Sequence, residues 1–283
     1  MTINTIAVIG AGTMGRGIVE TAAVHELNVY IFESNDDQAQ DAAGRIESSI
    51  GKAIARGKID LTDPQEALAR ISWCSDLRSA VGSAELVIEA VPENESLKIK
   101  VFKQLDALCR PDAILASNTS SVSVTRLGAA TSRPECVVGM HFFNPVPVMR
   151  PVEIVKGLRT SEPTLEAVRR LSEQMGKQAF TVQDVPGFVV NRVLMPLINE
   201  AIFALQEGVA DAGTIDSLMK LGCHHPMGPL ELADFVGLDV CLSILRVLHR
   251  ELGDPKFRPC PLLMRMVDAG RLGRKSGEGF YNY

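Results

Sequence analysis

The chain has 283 residues, 46% hydrophobic and 22% charged, with a formal net charge of −5; this is the balance of a globular protein with room for one large or two medium domains. No basic stripe with interleaved aromatics appears, so nucleic acid is not an expected partner. Six scattered cysteines without a C-x-x-C pair exclude a disulfide framework and a structural zinc site, no signal or transit segment is visible, and no apolar run approaches the ~18 residues of a membrane span, so the expectation is a cytoplasmic protein without metal.

In chain order, TIAVIG (5–10) predicts a buried strand, 13–26 a helix and NVYIF (28–32) a second strand. Apolar residues at 39, 43, 46, 50 and 54 predict a long helix. ISWCS (71–75) and ELVIEAV (85–91) read as strands, 94–108 as a helix, AILASN (113–118) and CVVGMHF (136–142) as strands, followed by VEIV and FTV. Strands alternating with helices imply a mainly parallel, doubly wound α/β sheet of the Rossmann type. After VPGF (185–188) the pattern changes: apolar residues recur at helical spacing through 189–206, 214–221, 230–251 and 261–269, with a strand suggested only in the last residues, GFYNY. The division expected is 1–184, the dinucleotide-binding domain, and 185–283, an all-helical C-terminal domain for substrate and dimerisation.

GAGTMG (10–15) fits G-x-G-x-x-G and has the required context, a strand before it and a helix after it. Gly10 permits the tight turn, Gly12 lets backbone approach a pyrophosphate, and Gly15 lets the helix pack close; Thr13 and Met14 complete the loop at the helix N-terminus, where unpaired N–H groups face phosphate. Glu33 ends the second strand, where an acid about 20 residues on hydrogen-bonds the adenosine ribose of NAD. The residues after it, Ser34 to Asp37, offer no arginine for a 2′-phosphate. NAD is therefore the expected cofactor; the bland alternative for Glu33 is a solvated strand end.

The stretch MHFFNPVPVMRPVEIV (140–155) places His141 at the end of one apolar run and Glu153 in the next, across a proline-stiffened turn. An alcohol oxidised beside a nicotinamide needs a proton acceptor, and histidine suits this near neutral pH. A carboxylate partner fixes the tautomer and stabilises the imidazolium. The residues alone favour a buried structural histidine with Glu153 on a solvated face.

The chain resembles the L-3-hydroxyacyl-CoA dehydrogenase family, and within it the short bacterial 3-hydroxybutyryl-CoA dehydrogenases. The resemblance runs through GAGTMGRGI (10–18), EAVPENESLKIKVF (89–102), SNTSS (117–121), HFFNPVPVM (141–149), PGFVVNR (186–192), HPMGPLELADFVGLD (225–239) and GRKSGEGFYNY (273–283). It implies that His141 is the catalytic base, that Glu153 pairs with it, that Ser120 lies by the substrate oxygen and that Asn191 completes the constellation. It also implies that Glu93, Lys98 and Asn118 line the nicotinamide and its ribose, that Lys275 lies near the cofactor, and that the site occupies the cleft between two domains. Apart from the resemblance, Ser120 and Asn118 read equally as helix caps, Lys98 as a solvated helix charge and Asn191 as a local cap. Glu33 departs from the family's usual aspartate.

The resemblance further places a serine and basic residues of the helix around 45–58 against CoA phosphates. Ser49, Lys52 and Arg56 match, and the last two share a helix face; a solvated basic face reads nearly as well. The implied reaction is reversible NAD-dependent oxidation of a (3S)-3-hydroxyacyl-CoA, 3-hydroxybutyryl-CoA first, to the 3-ketoacyl-CoA, in a homodimer or higher homo-oligomer. The rivals are a dehydrogenase of a 3-hydroxy acid or sugar acid without CoA, and a non-catalytic NADH-binding protein of the crystallin kind.

Overall fold

The first apolar run forms β1 (Thr5–Ile9), and the glycine loop after it opens α1 (Thr13–Val24). This helix ends before residue 26, because Glu26 takes a positive φ of 66° to turn the chain into β2 (Asn28–Phe32). α2 (Asp36–Ala55) begins where the Asn35 side chain accepts from Gln38 N, and Asp36 and Asp37 in its first turn suit the positive end of the helix. Then come α3 (Gln65–Leu68), β3 (Ile71–Cys74), α4 (Leu77–Val81), β4 (Leu86–Glu89), α5 (Glu95–Leu108), β5 (Ile114–Ser117), α6 (Val124–Ala129), β6 (Val137–Phe142), β7 (Pro151–Lys156), α7 (Glu162–Gln174) and β8 (Gln178–Gln183). The structure is a computed structural model describing residues 3–283, in two compact units, one ending at Val185 and the other running from Pro186 to Tyr283.

The strands form one eight-stranded sheet in the order β3-β2-β1-β4-β5-β6-β7-β8. Neighbours are parallel except β6 and β7, which are antiparallel. Because side chains alternate along a strand, Ile6 and Val8 of β1 enter the core cluster shared with Ile18 of α1, Ile46 and Ile50 of α2 and Leu171 of α7. Ala7 and Ile9 are equally buried but point the other way. The sheet is thus covered on both faces, as a doubly wound fold requires. Rows at the carboxyl ends of the strands are held in register: Ile9 pairs with Glu89, Glu89 with Ser117, and Ser117 with Gly139.

The second unit contains α8 (Val190–Gln206), α9 (Ala212–Cys223), α10 (Pro229–Val236), α11 (Leu238–Leu252) and α12 (Pro261–Asp268) around a core that includes Met195, Ile198, Leu230, Leu245, Phe257 and Leu263. The helical periodicity over 230–251 belongs to two helices, broken at Gly237, whose φ of 103° suits glycine. Both helices feed the same core, so the apolar spacing runs on through the break. GFYNY forms no strand; Glu278 makes isolated bridges to Gly273 and Asn282. The tail is held by Asp234, whose carboxylate accepts from Phe280 N at 3.0 Å, Tyr281 N at 2.9 Å and the Tyr283 hydroxyl at 3.1 Å. A Cβ at Gly279 would lie 2.0 Å from Asp234 Oδ1, so only glycine lets the tail close this far. Among the described residues no helix is long and apolar enough to cross a membrane, and no group of three or more His, Cys, Asp or Glu could hold a metal ion.

Candidate active site

The nucleotide loop sits at the carboxyl end of β1. Gly10 has φ 101°, and a Cβ there would meet Ala90 O at 2.8 Å. A Cβ at Gly15 would come within 1.9 Å of Gly10 O, so this glycine is required for α1 to start against the loop. Gly12 is different: an added Cβ would have nothing within 4 Å, so its open side faces space in which a pyrophosphate can approach the backbone. Thr13 and Met14 begin α1. Glu33 follows β2 and closes on the loop, its Oε2 accepting from Ala11 N at 2.9 Å and its Oε1 from Asn35 N at 3.2 Å. A carboxylate beside a glycine turn at a helix N-terminus is the donor and acceptor set that a dinucleotide needs, so the residues fit NAD.

Beyond the loop lies a charged network that the sequence showed only in fragments. Lys98 of α5 is 1% exposed and is not a solvated helix charge. Its Nζ donates to Glu89 Oε1 at 2.7 Å and lies 3.3 Å from Glu93 Oε2. Glu89, fully buried, also accepts from Ser117 Oγ at 2.6 Å and Val91 N at 2.8 Å. Glu93 Oε1 gathers the loop after β5, accepting from Thr119 Oγ1 at 2.6 Å, Ser120 N at 3.0 Å and both the N and Oγ of Ser121 at 2.8 Å. The Ser120 hydroxyl points to the same oxygen at 3.3 Å. Burial works to raise the Glu93 pKa, but the Lys98 ammonium and these hydrogen bonds outweigh it and hold the carboxyl below its ordinary value. Glu89, Ser117 and Thr119 were not singled out from the sequence. The signal for Glu89 was available: an acid closing an otherwise apolar buried strand, LVIE, calls for a buried partner.

Asn118 bridges the ends of two strands, its N–H bonding Glu89 O at 2.8 Å and its Oδ1 accepting from Phe142 N at 3.1 Å. It therefore fixes the backbone immediately after His141. On the β6–β7 ladder His141 stands opposite Glu153. His141 Nδ1 lies 2.7 Å from Glu153 Oε2, with the imidazole and carboxylate 10% and 5% exposed. Phe143 stands against the imidazole, ring centroids 4.8 Å apart. With Nδ1–H donated to the carboxylate, the neutral imidazole carries its lone pair on Nε2.

The remaining candidates are placed less directly. In the helical unit, Asn191 is buried in the first turn of α8, and Lys275 Nζ pairs with Asp239 Oδ1 at 2.5 Å. Lys52 of α2 and Arg56, which caps its end, are exposed, whereas the Ser49 hydroxyl turns inward and donates to Glu20 Oε1 at 2.8 Å.

A doubly wound sheet with this loop, this acid and this first helix defines an NAD-binding oxidoreductase domain. The chain belongs to the 3-hydroxyacyl-CoA dehydrogenase family: the family's NAD binding domain matches residues 5–185 and its C-terminal domain residues 187–283. It is 52% identical over 283 residues to a probable 3-hydroxybutyryl-CoA dehydrogenase of Bacillus subtilis, covering 100% of this chain and 98% of that protein. It is 47% identical over 281 residues to a 3-hydroxybutyryl-CoA dehydrogenase of Bradyrhizobium diazoefficiens, covering 99% and 96%. Among solved structures, that of (S)-3-hydroxybutyryl-CoA dehydrogenase PaaH1 from Ralstonia eutropha superposes with a TM-score of 0.96 at 48% identity, covering 100% and 99% of the two chains.

Proposed function

We propose that the protein interconverts a short-chain (3S)-3-hydroxyacyl-CoA, 3-hydroxybutyryl-CoA first, with its 3-ketoacyl-CoA, using His141 and Glu153 as a general acid–base pair. The observation that carries this reading is the 2.7 Å contact between His141 Nδ1 and Glu153 Oε2 at the carboxyl end of a dinucleotide-binding sheet.

NAD, when bound, supplies the hydride acceptor in oxidation and, as NADH, the donor in reduction. In oxidation His141 Nε2 takes the proton of the C3 hydroxyl as the C–H bond is broken, and in reduction it returns that proton to the forming alkoxide. Glu153 keeps the imidazole in the tautomer that leaves Nε2 basic and stabilises the imidazolium once the proton has arrived. Ser120, on the loop gathered by Glu93, and Asn191, at the start of α8, are assigned to hydrogen-bond substrate oxygens. Gly10, Gly12, Thr13, Met14, Gly15 and Glu33 are assigned to the pyrophosphate and ribose, and Glu93, Lys98, Asn118 and Lys275 to the nicotinamide end. Lys52 on α2 and Arg56 at its end, both exposed, are assigned to the CoA phosphates. Ser49 is a weaker candidate, because its hydroxyl is engaged by Glu20.

The helical unit is assigned to self-association. It leaves Val193, Leu218 and Leu221 at least 63% exposed, an apolar display that a second copy would cover. The reading is tested by assaying acetoacetyl-CoA, longer 3-ketoacyl-CoA esters and free acetoacetate with NADH, alongside mass measurement in dilute solution. Turnover restricted to the CoA esters, and greatest with the short ones, is expected; equal turnover of free acetoacetate would overturn the CoA assignment, and a stable monomer the assembly.

A further inference from the structure

We propose that Lys177 is a positioning residue for the His141–Glu153 pair: it seats the turn between their two strands on the first helix of the nucleotide fold. This rests on the assignment of that pair as the acid–base machinery.

His141 and Glu153 face each other only because the connection between β6 and β7 fixes their register. A slip of one residue would send either side chain to the opposite face of the sheet. The connection is short of apolar anchors: Val148 is 72% exposed, and only Val146 is fully withdrawn from solvent. Its inner side is held from elsewhere. Lys177, the residue before β8, is buried, and its Nζ donates to the carbonyls of Val146 and Met149, the latter at 3.0 Å. The next residue continues the attachment, Gln178 N donating to Arg150 O at 2.8 Å.

The other side of the seat is α1. A Cβ at Gly17 would stand 3.0 Å from Val146 Cβ and 3.5 Å from Pro147 Cδ, so the turn lies directly on the helix that begins at the glycine loop. One helical turn on, Glu20 is also buried and accepts from Ser49 Oγ of α2. Burial lowers the Lys177 pKa while the Glu20 charge opposes that, and burial raises Glu20 while Ser49 and nearby cations oppose it. Each is held by its own hydrogen bonds, Lys177 by the turn carbonyls and Glu20 by Ser49, and each feels the other's charge.

A buried ammonium is a poor source of stability, because its desolvation consumes most of what its contacts return, and a methionine would fill the volume of Lys177 at lower cost. What the ammonium supplies and a methyl group cannot is two directed bonds to carbonyls, one five residues after His141 and the other four residues before Glu153. It ties the placement of the pair to α1, and so to the helix that receives the cofactor's phosphates.

The test is Lys177→Met, with the same length and no donors. Expected is a fall in kcat on acetoacetyl-CoA of ~10-fold or more, since small misplacements of a reacting group carry costs of this order, with the Kd for NADH and the KM for substrate within about twofold. Gly17→Ala, which presses on Val146 from α1, should lower kcat in the same selective way, and it decides alone if Lys177→Met does not fold. In a His141→Gln background, Lys177→Met should subtract nothing further. Native kcat in the single variant, loss of kcat and NADH binding in equal proportion, or a further loss in the His141→Gln background would each overturn the proposal. Native kcat in His141→Gln alone would instead defeat the assignment of the base, whatever Lys177 does.

Discussion

The imidazole of His141 and the carboxylate of Glu153 belong to residues directly opposite each other on two antiparallel strands, and they meet at 2.7 Å in a setting almost closed to water. Both side chains stand on a rigid ladder and neither depends on a flexible loop for its direction. Low local dielectric strengthens their interaction and makes a lone charge at either position costly. In the proposed mechanism, a proton delivered to His141 would arrive beside the Glu153 carboxylate.

Cofactor preference follows from Glu33. Its carboxylate accepts from Ala11 N of the glycine loop, and in the proposed ribose role it would stand against a 2′-phosphate. NADH is expected to be preferred over NADPH, and Glu33→Gln is expected to narrow the ratio of kcat/KM for the two. Steady-state assays with both cofactors check this; equal kcat/KM in the unaltered protein would contradict it.

Glu93 sets a dependence on pH. Its folded-state carboxyl is held below the ordinary 4.5, with burial opposed by Lys98 and the hydrogen bonds from Thr119, Ser121 and Ser120. A depressed carboxyl contributes stability that is present above the unfolded value and lost as pH falls through the folded one. Glu93→Gln should therefore lower Tm at pH 7, and the gap to the unaltered protein should close as pH drops below 4.5. Thermal melts across pH 3 to 7 measure it; a gap that widens toward acid would show the sign to be wrong.

Much of this frame can be read from the chain. β2 occupies the residues its apolar run predicts, the glycine loop stands between β1 and α1, and helices follow β8 as the apolar spacing indicates. The reason is that binary pattern and turn chemistry are local properties. What stayed hidden depended on distance along the chain. Lys98 looks like one more helix lysine until Glu89 is found beside it, and Ser49 looks available until α1 brings Glu20 to it. The break at Gly237 was masked because α10 and α11 bury their apolar faces in the same core. The tail GFYNY has strand-like composition, yet Asp234 takes the N–H groups of Phe280 and Tyr281 while Gly279 N and Tyr283 N donate to nearby carbonyls, and no second strand is needed.

Asn191 is the one assigned catalytic group carried by the helical unit. Its amide can donate to a substrate carbonyl, which a carboxylate cannot. Asn191→Ala should reduce kcat by about tenfold, on the order of one hydrogen bond in the transition state, and weaken acyl-CoA binding while NADH affinity holds; Asn191→Asp should do no better. NADH titration beside turnover separates the outcomes: NADH binding that falls in step with activity would make Asn191 a folding or cofactor residue.

The most direct measurement is kcat for His141→Gln on acetoacetyl-CoA, taken together with the Kd for NADH. The substitution keeps a polar group of similar reach and removes proton transfer. A fall of at least ~10²-fold, the usual worth of a general acid–base group, with NADH bound as tightly as before, is the predicted result. A variant that turns over at close to the native rate would show that His141 is not the base.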